Sequence, residues 1–223
     1  MLTDHFGDAY FKEISWMNLI GRIAFPIFAF QISEGYLHTR NLKKYFLRLF
    51  LFALISQLPF MLFCSLYTDS FTLNIFFTLF VGLLAIFLYN KITNLSFEPI
   101  RNEKVKNCFR QLFGILVVTM LGILAGLCHF DYGFFGIAII FLFYLLRNHK
   151  LAMASSFILA CILRYVTPYF STNFNIWYLG LTLFTILPII FICLYNKKQG
   201  PKVKYLLYFF YPVHLLILYF LFR

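Results

Sequence analysis

Charge is what this sequence has least of. Only 12% of its 223 residues are Asp, Glu, Lys or Arg, and eight are acidic. A soluble domain takes about a quarter of its residues from these types to cover its surface, so composition excludes a water-soluble fold. Cysteine is sparse too. Cys64, Cys108, Cys128, Cys161 and Cys193 are scattered without a C-x-x-C pair, which argues against disulfides, metal ligands or nucleophiles and for small apolar packing residues. No internal repeat is present. The longest polar segment, 91–110, is mixed in charge and too short to fold alone, so one transmembrane domain over 1–223 is expected. The polar start, MLTDHFGDAYFKE, carries no cleavable signal pattern, and the first span is expected to direct insertion itself.

What is abundant is apolar. Hydrophobic residues make up 62% of the chain, aromatics 22%, with 32 Phe, and the mean hydropathy is +0.82. Eight apolar runs predict an all-α, polytopic helix bundle with about eight membrane spans: 14–36, 48–67, 71–90, 111–128, 132–146, 151–170, 176–195 and 205–222. The fifth is short for a ~30 Å core. Pro26, Pro59, Pro168, Pro188 and Pro212 fall inside or near the ends of spans, where neighbouring helices can satisfy the freed carbonyls.

The net charge of +11 invites a nucleic-acid reading, but its distribution does not support one. Fifteen of the 19 basic residues fall in four alternate connections: Arg40, Lys43, Lys44 and Arg48; Lys91, Arg101, Lys104, Lys106 and Arg110; Arg147 and Lys150; Lys197, Lys198, Lys202 and Lys204. The three connections between them hold none, and two of these carry Asp69 and Asp131. By the positive-inside rule the basic connections are cytoplasmic and both termini outside, as expected for a multi-pass protein of a bacterial cytoplasmic (inner) membrane in contact with lipid.

Ionisable groups inside apolar spans are costly and usually mark a site or pathway. Arg22 is expected in the outer half of the first span and Arg164 in that of the sixth. His214 lies mid-span just after Pro212. Asp4, His5, His129 and Asp131 sit at the outer edge, with Asn74 at the start of the third span. Glu34 and His38, four residues apart, share a helix face at the opposite end of the first span. Structural accounts exist for each: Arg22 and Arg164 bridging to Asp131 and Asp4, His214 bonded to a carbonyl near Pro212, Glu34 snorkelling to the interface. His129 and His149 read as ordinary loop residues.

Several stretches carry a family resemblance: DH at 4–5, IGRIAFPIFAFQISEGYLHTRNLKKYFLRL at 20–49, ALISQLPF at 53–60, NIFFTLFVGLLAI at 74–86, DYGFFGIAIIFLFYLLR at 131–147 and YPVHLLILY at 211–219. Together they resemble the TraX family, most specifically through R-x-A-F-P-x-F and E-G-x-x-x-T-R around Arg22 to Arg40. The resemblance implies N-acetylation of conjugative pilin and a distant likeness to integral membrane acyltransferases that use acyl-CoA. The matching motif positions are Asp4, His5, Arg22, Glu34, His38, Arg40, Asn74, Asp131 and His214. Two departures stand out: the family carries a further apolar span upstream of the Asp-His pair, and Gln57 stands where relatives often have an acid.

The expected reaction is transfer of an acetyl group from cytoplasmic acetyl-CoA, as acyl donor, to an amine or hydroxyl acceptor near the outer face. Arg40, Lys43, Lys44 and Arg48 would form a basic mouth for the donor's phosphates, joined by the 197–204 cluster, with Glu34 and His38 shaping the entrance. The base is either His5, favoured by the resemblance, or His214. Arg22 and Asn74 are the expected oxyanion donors. Asp131 is expected to orient His5, because adjacent helical residues such as Asp4 point about 100° away. Two other readings remain open: a transporter or lipid-handling protein, and a non-catalytic part of a conjugation or secretion apparatus. No metal site is expected.

Overall fold

Helices follow the apolar runs, because a backbone inside lipid must satisfy its own N–H and C=O groups. A computed structural model describes residues 1–11, 13–68, 70–95, 102–166, 176–198 and 204–223. Asp69, Arg101, Pro168, Lys202, the connection at 169–175 and the side chain of Lys204 lie outside the described residues. The described helices are α1 (Leu2–Phe11), α2 (Trp16–Gly21), α3 (Ala24–His38), α4 (Leu42–Cys64), α5 (Ile75–Thr93), α6 (Glu103–Leu127), α7 (Gly133–Leu145), α8 (Lys150–Tyr165), α9 (Ile176–Ile186), α10 (Ile189–Leu194) and α11 (Lys204–Phe222).

The protein is an all-α, multi-pass membrane bundle. Among the described residues, five stretches are long and apolar enough to cross a membrane: α4, α5, α6, α9 together with α10, and α11. The expected count of eight rests on three shorter helices, α3, α7 and α8, of 15, 13 and 16 residues. At the helical rise these reach about 20–24 Å, less than a full hydrocarbon core. Outward faces such as Leu112, Leu116, Met120 and Leu127 on α6 stay exposed, as a lipid-facing surface requires.

Two features depart from uninterrupted spans. The run 14–36, expected as one helix, breaks at Arg22–Ile23 into α2 and α3. Pro26 supplies the reason: it has no N–H for the Arg22 carbonyl, and its ring crowds that carbonyl, so the helix restarts with Pro26 in its first turn. The last bonds of α2 tighten accordingly, with Ile23 N donating to the Ile20 carbonyl at 3.2 Å. The polar start, for which no span is expected, folds as α1 and buries His5, Gly7 and Ala9.

The helix ends sort into two sets. At one end the Tyr144 hydroxyl donates to Asn90 Oδ1 at 2.7 Å. There Tyr36 meets Tyr144 edge-on at 5.6 Å, and Phe30 meets Tyr195 at 5.4 Å. These contacts gather the C-termini of α3, α5, α7 and α10. Arg147 lies 4.5 Å over the Tyr144 ring, and Lys150 Nζ donates to the Cys193 carbonyl at 2.6 Å, so this is the basic end. At the acidic end Leu73 pairs with the turn before α7: Leu73 N donates to the His129 carbonyl at 3.0 Å and Asp131 N to the Leu73 carbonyl at 2.8 Å.

The chain between α4 and α5 returns into the bundle before α5 begins. Asn74 caps α5, its Oδ1 accepting from Phe76 N at 2.9 Å, while its Nδ2 donates to the Ala53 carbonyl at 2.8 Å. Ala53 lies 11 residues before the end of α4, about 16 Å along that helix. The N-terminus of α5 therefore starts well inside the bundle, with a vestibule above it.

Candidate functional site

The vestibule is a cavity of about 290 Å³ walled by α1, the α2–α3 break, the end of α4 and the Asp131–Tyr132 turn. The break sets Arg22 in its wall. Arg22 Nη2 lies 4.0 Å from Asp4 Oδ1, and Nη1 donates to the Tyr132 hydroxyl at 3.3 Å. Its Nε is buried without a partner. Tyr132 holds a left-handed backbone (φ 62°) and stacks on Phe25 with ring centroids 3.8 Å apart, which fixes the hydroxyl that Arg22 meets.

Asp4 is placed by α2. Gly21 admits it: a Cβ there would come within 2.3 Å of the Asp4 Cβ. Asn18 ties α1 and α2 together. Its Nδ2 donates to Asp8 Oδ1 at 2.6 Å and to the Asp4 carbonyl and Oδ1 at 3.2 Å each, while its Oδ1 accepts from Ser15 N and Oγ at 2.9 and 2.7 Å.

His5 lines the same cavity. Its ring lies edge-on to Phe63 at 5.1 Å and stacks on His214 at 5.4 Å. Nδ1 has no hydrogen-bond partner, and the carboxylate nearest to it by ion pairing is Asp8, at 3.8 Å. His214 sits behind His5. Its Nδ1 lies 2.7 Å from the Phe210 carbonyl. A carbonyl only accepts, so Nδ1 carries the proton and the lone pair is on Nε2, which is buried without a partner.

Asp131 also lines the cavity. Its backbone is fixed by its own N–H donating to the Leu73 carbonyl and by the Thr78 hydroxyl, which donates to its carbonyl. Burial pushes its carboxyl up to about 6, with the charges of Arg22 and then His5 pulling it back down.

A second cavity of about 230 Å³ lies toward the basic end between α3, α4, α5 and α11. It is mostly apolar, with Gln31, Arg48, Tyr45 and Tyr211 among its lining. Met1, Phe28 and Ile75 line both cavities, so the two adjoin there.

The fold thus gathers Asp4, His5, Arg22 and Asp131 around one cavity and puts His214 against His5. Arg48 reaches the second cavity, whereas Arg40, Lys43 and Lys44 are exposed around the start of α4. Glu34 pairs with His38 at 3.5 Å, away from Arg22. Asn74, expected to donate to an oxyanion, has both amide hydrogens engaged, by the Ala53 carbonyl and by Gln57 Oε1 at 2.9 Å. Gln57 in turn donates to the Thr72 carbonyl at 2.8 Å, a bond that an ionised acid at this position would not make. Arg164 is exposed. Sequence reasoning missed Asp8, Asn18, Tyr132 and Tyr211; the i, i+3 spacing of His5 and Asp8 was the available signal. Among the described residues no group of three His, Cys, Asp or Glu side chains is placed to hold a metal ion.

Comparison with known proteins adds two findings. A family model described as "TraX protein" matches residues 1–222. The chain is also similar to the probable fimbrial assembly protein FimC, serogroup H1, of Dichelobacter nodosus, at 26% identity over 98% of this chain and 89% of that protein. No solved structure matches.

Proposed function

The chain belongs to the TraX family, and from that premise we propose that it is an integral membrane acetyltransferase. It moves an acetyl group from cytoplasmic acetyl-CoA to an amine or hydroxyl acceptor near the outer face of a bacterial inner membrane, with a pilin N-terminus as the acceptor the family suggests. The observation that carries this reading is the pair of adjoining cavities. One is apolar and reaches Arg48; the other holds His5, Arg22 and Asp131, and the two meet at Phe28 and Ile75.

Each end suits one substrate. With the basic end cytoplasmic, Arg48 and the exposed Arg40, Lys43 and Lys44 meet the polyanionic donor, and the apolar cavity takes its narrow arm. His5 accepts the acceptor's proton, the role its free Nδ1 and cavity position favour over His214. Asp8, and Asp131 across the cavity, stabilise the resulting imidazolium. Arg22 supplies fixed positive charge where negative charge develops on the carbonyl oxygen.

The test is acetyl-CoA turnover by the purified protein in nanodiscs, following labelled acetyl and free CoA. Wild type is expected to release CoA, and Arg22→Ala and His5→Ala each to lose at least about 100-fold. A folded wild-type protein that consumes no acetyl-CoA overturns the reading. The name of the similar Dichelobacter protein favours a second one, a fimbrial assembly component without chemistry. On that account Arg22→Ala disturbs assembly while neither protein turns over.

A further inference from the structure

The junction of the two cavities holds a polar group that the scheme above leaves unused. Tyr211 on α11 is 3% exposed, lines the apolar cavity, and its hydroxyl forms no hydrogen bond. The ring is held edge-on to Phe76 at 5.3 Å, to His214 at 5.6 Å and to His5 at 6.3 Å, so the phenol has little freedom to seek a partner elsewhere. Phenylalanine would fill the same space without burying an unsatisfied hydroxyl.

The backbone beside it is the start of α5. Asn74 caps Phe76 N and leaves Ile75 N–H as one of the amides that a helix start provides without an intrahelical acceptor. Ile75 lines both cavities, and the next residue, Phe76, packs edge-on against the Tyr211 ring. A helix N-terminus inside a membrane protein, with its positive dipole end beside a buried free hydroxyl, is a site for developing negative charge.

We propose that the Tyr211 hydroxyl, backed by the Ile75 N–H, is the hydrogen-bond donor that receives the carbonyl oxygen of the acyl thioester where the two cavities meet. This rests on the transferase reading and adds to it a catalytic residue and the position of the reacting carbonyl. For an amine acceptor, the nitrogen lone pair forms the C–N bond, and the carbonyl π pair moves onto oxygen. Tyr211 donates a hydrogen bond to that oxygen without giving up its proton. When the pair returns, the C–S bond breaks and sulfur leaves as the CoA thiolate. The proton lost by the amine passes to His5 and from His5 to the thiolate. Arg22, in the wall of the acceptor's cavity, adds its fixed positive charge to the stabilisation of the same oxygen.

The test is Tyr211→Phe in nanodiscs, with thermal unfolding checked against wild type. A donor made only in the transition state affects kcat and not binding. The expected result is a kcat lower by on the order of 100-fold, with KM for acetyl-CoA and the affinity for S-ethyl-CoA, a thioether without the carbonyl, within about two-fold of wild type. An unchanged kcat overturns the proposal, as does a parallel loss of S-ethyl-CoA affinity, which makes Tyr211 a binding residue. If Tyr211→Phe does not fold, 3,5-difluorotyrosine at 211 keeps the ring and strengthens the donor; an unaltered kcat there overturns it equally. A wild-type protein without turnover removes the transferase reading and this role together, whereas an active wild type matched by Tyr211→Phe removes only this role.

Discussion

Asp131 sets the pH dependence expected of the proposed transfer. Its carboxyl is raised by burial from an ordinary 3.8 to about 6, so it is ionised above that pH and neutral below. Only the ionised form attracts Arg22 and a protonated His5. Activity is therefore expected to fall as pH drops through about 6, approaching tenfold per unit. Asp131→Asn should flatten that acid limb in a pH profile of kcat/KM. Stability has the opposite sign. The folded state binds a proton more tightly than the unfolded chain between about pH 4 and 6, so ionising Asp131 above this window costs stability. Asp4, His5, Arg22 and Asp131 were legible because ionisable residues are conspicuous in so apolar a sequence. Tyr132 and Tyr211 were not: among 15 tyrosines, a hydroxyl aimed into a cavity looks the same as one anchored at an interface. Asp8 was hidden in a polar stretch outside the apolar runs, and its partnership with His5 exists only once that stretch is a helix.

The elements teach a related lesson. The apolar cores of α4, α5, α6 and α11 were legible from hydropathy, because lipid demands long apolar runs. The break at Arg22 and the deep start of α5 were not, because hydropathy does not record where a helix's hydrogen bonds stop. Pro26 was visible, but its effect depended on the chain having α1 and α2 to place beside the break. Asn74 was recognised as a polar residue of interest; its use as a cap and cross-brace depends on where α5 begins. Asn74→Ala removes the cap and the side-chain donor to the Ala53 carbonyl and Gln57 Oε1, the latter keeping the residue-74 backbone N–H at 3.1 Å. A loss of about 2–4 kcal/mol is expected, read as a lowered midpoint of thermal unfolding in nanodiscs. Asn74→Ser retains a capping oxygen and should recover about 1 kcal/mol of it.

For the whole molecule, the two native cysteines of the α6 region provide an orientation test. Cys108 and Cys128 are both exposed and lie near opposite ends of this helix, about 30 Å apart by the helical rise. With the basic end inside, a membrane-impermeant maleimide added to intact cells is expected to label Cys128, and Cys108 only after permeabilisation. Cys193→Ser removes the half-buried thiol at the basic end from the readout. The reverse pattern would turn the molecule over and place the Arg48 cavity on the wrong side for a cytoplasmic donor.

The side chains of Met1, Phe28 and Ile75, which line both cavities, have a consequence for the cell that houses the protein. A protein that lets substrates approach from both faces risks becoming an electrical leak, since a continuous column of water would discharge the membrane potential. Phe28 and Ile75 stand where that column would have to pass, and a hydrated proton or sodium ion finds no ligand on either side chain. In the proposed transfer these side chains would insulate, so that a group is handed across while the ionic gradient stays intact.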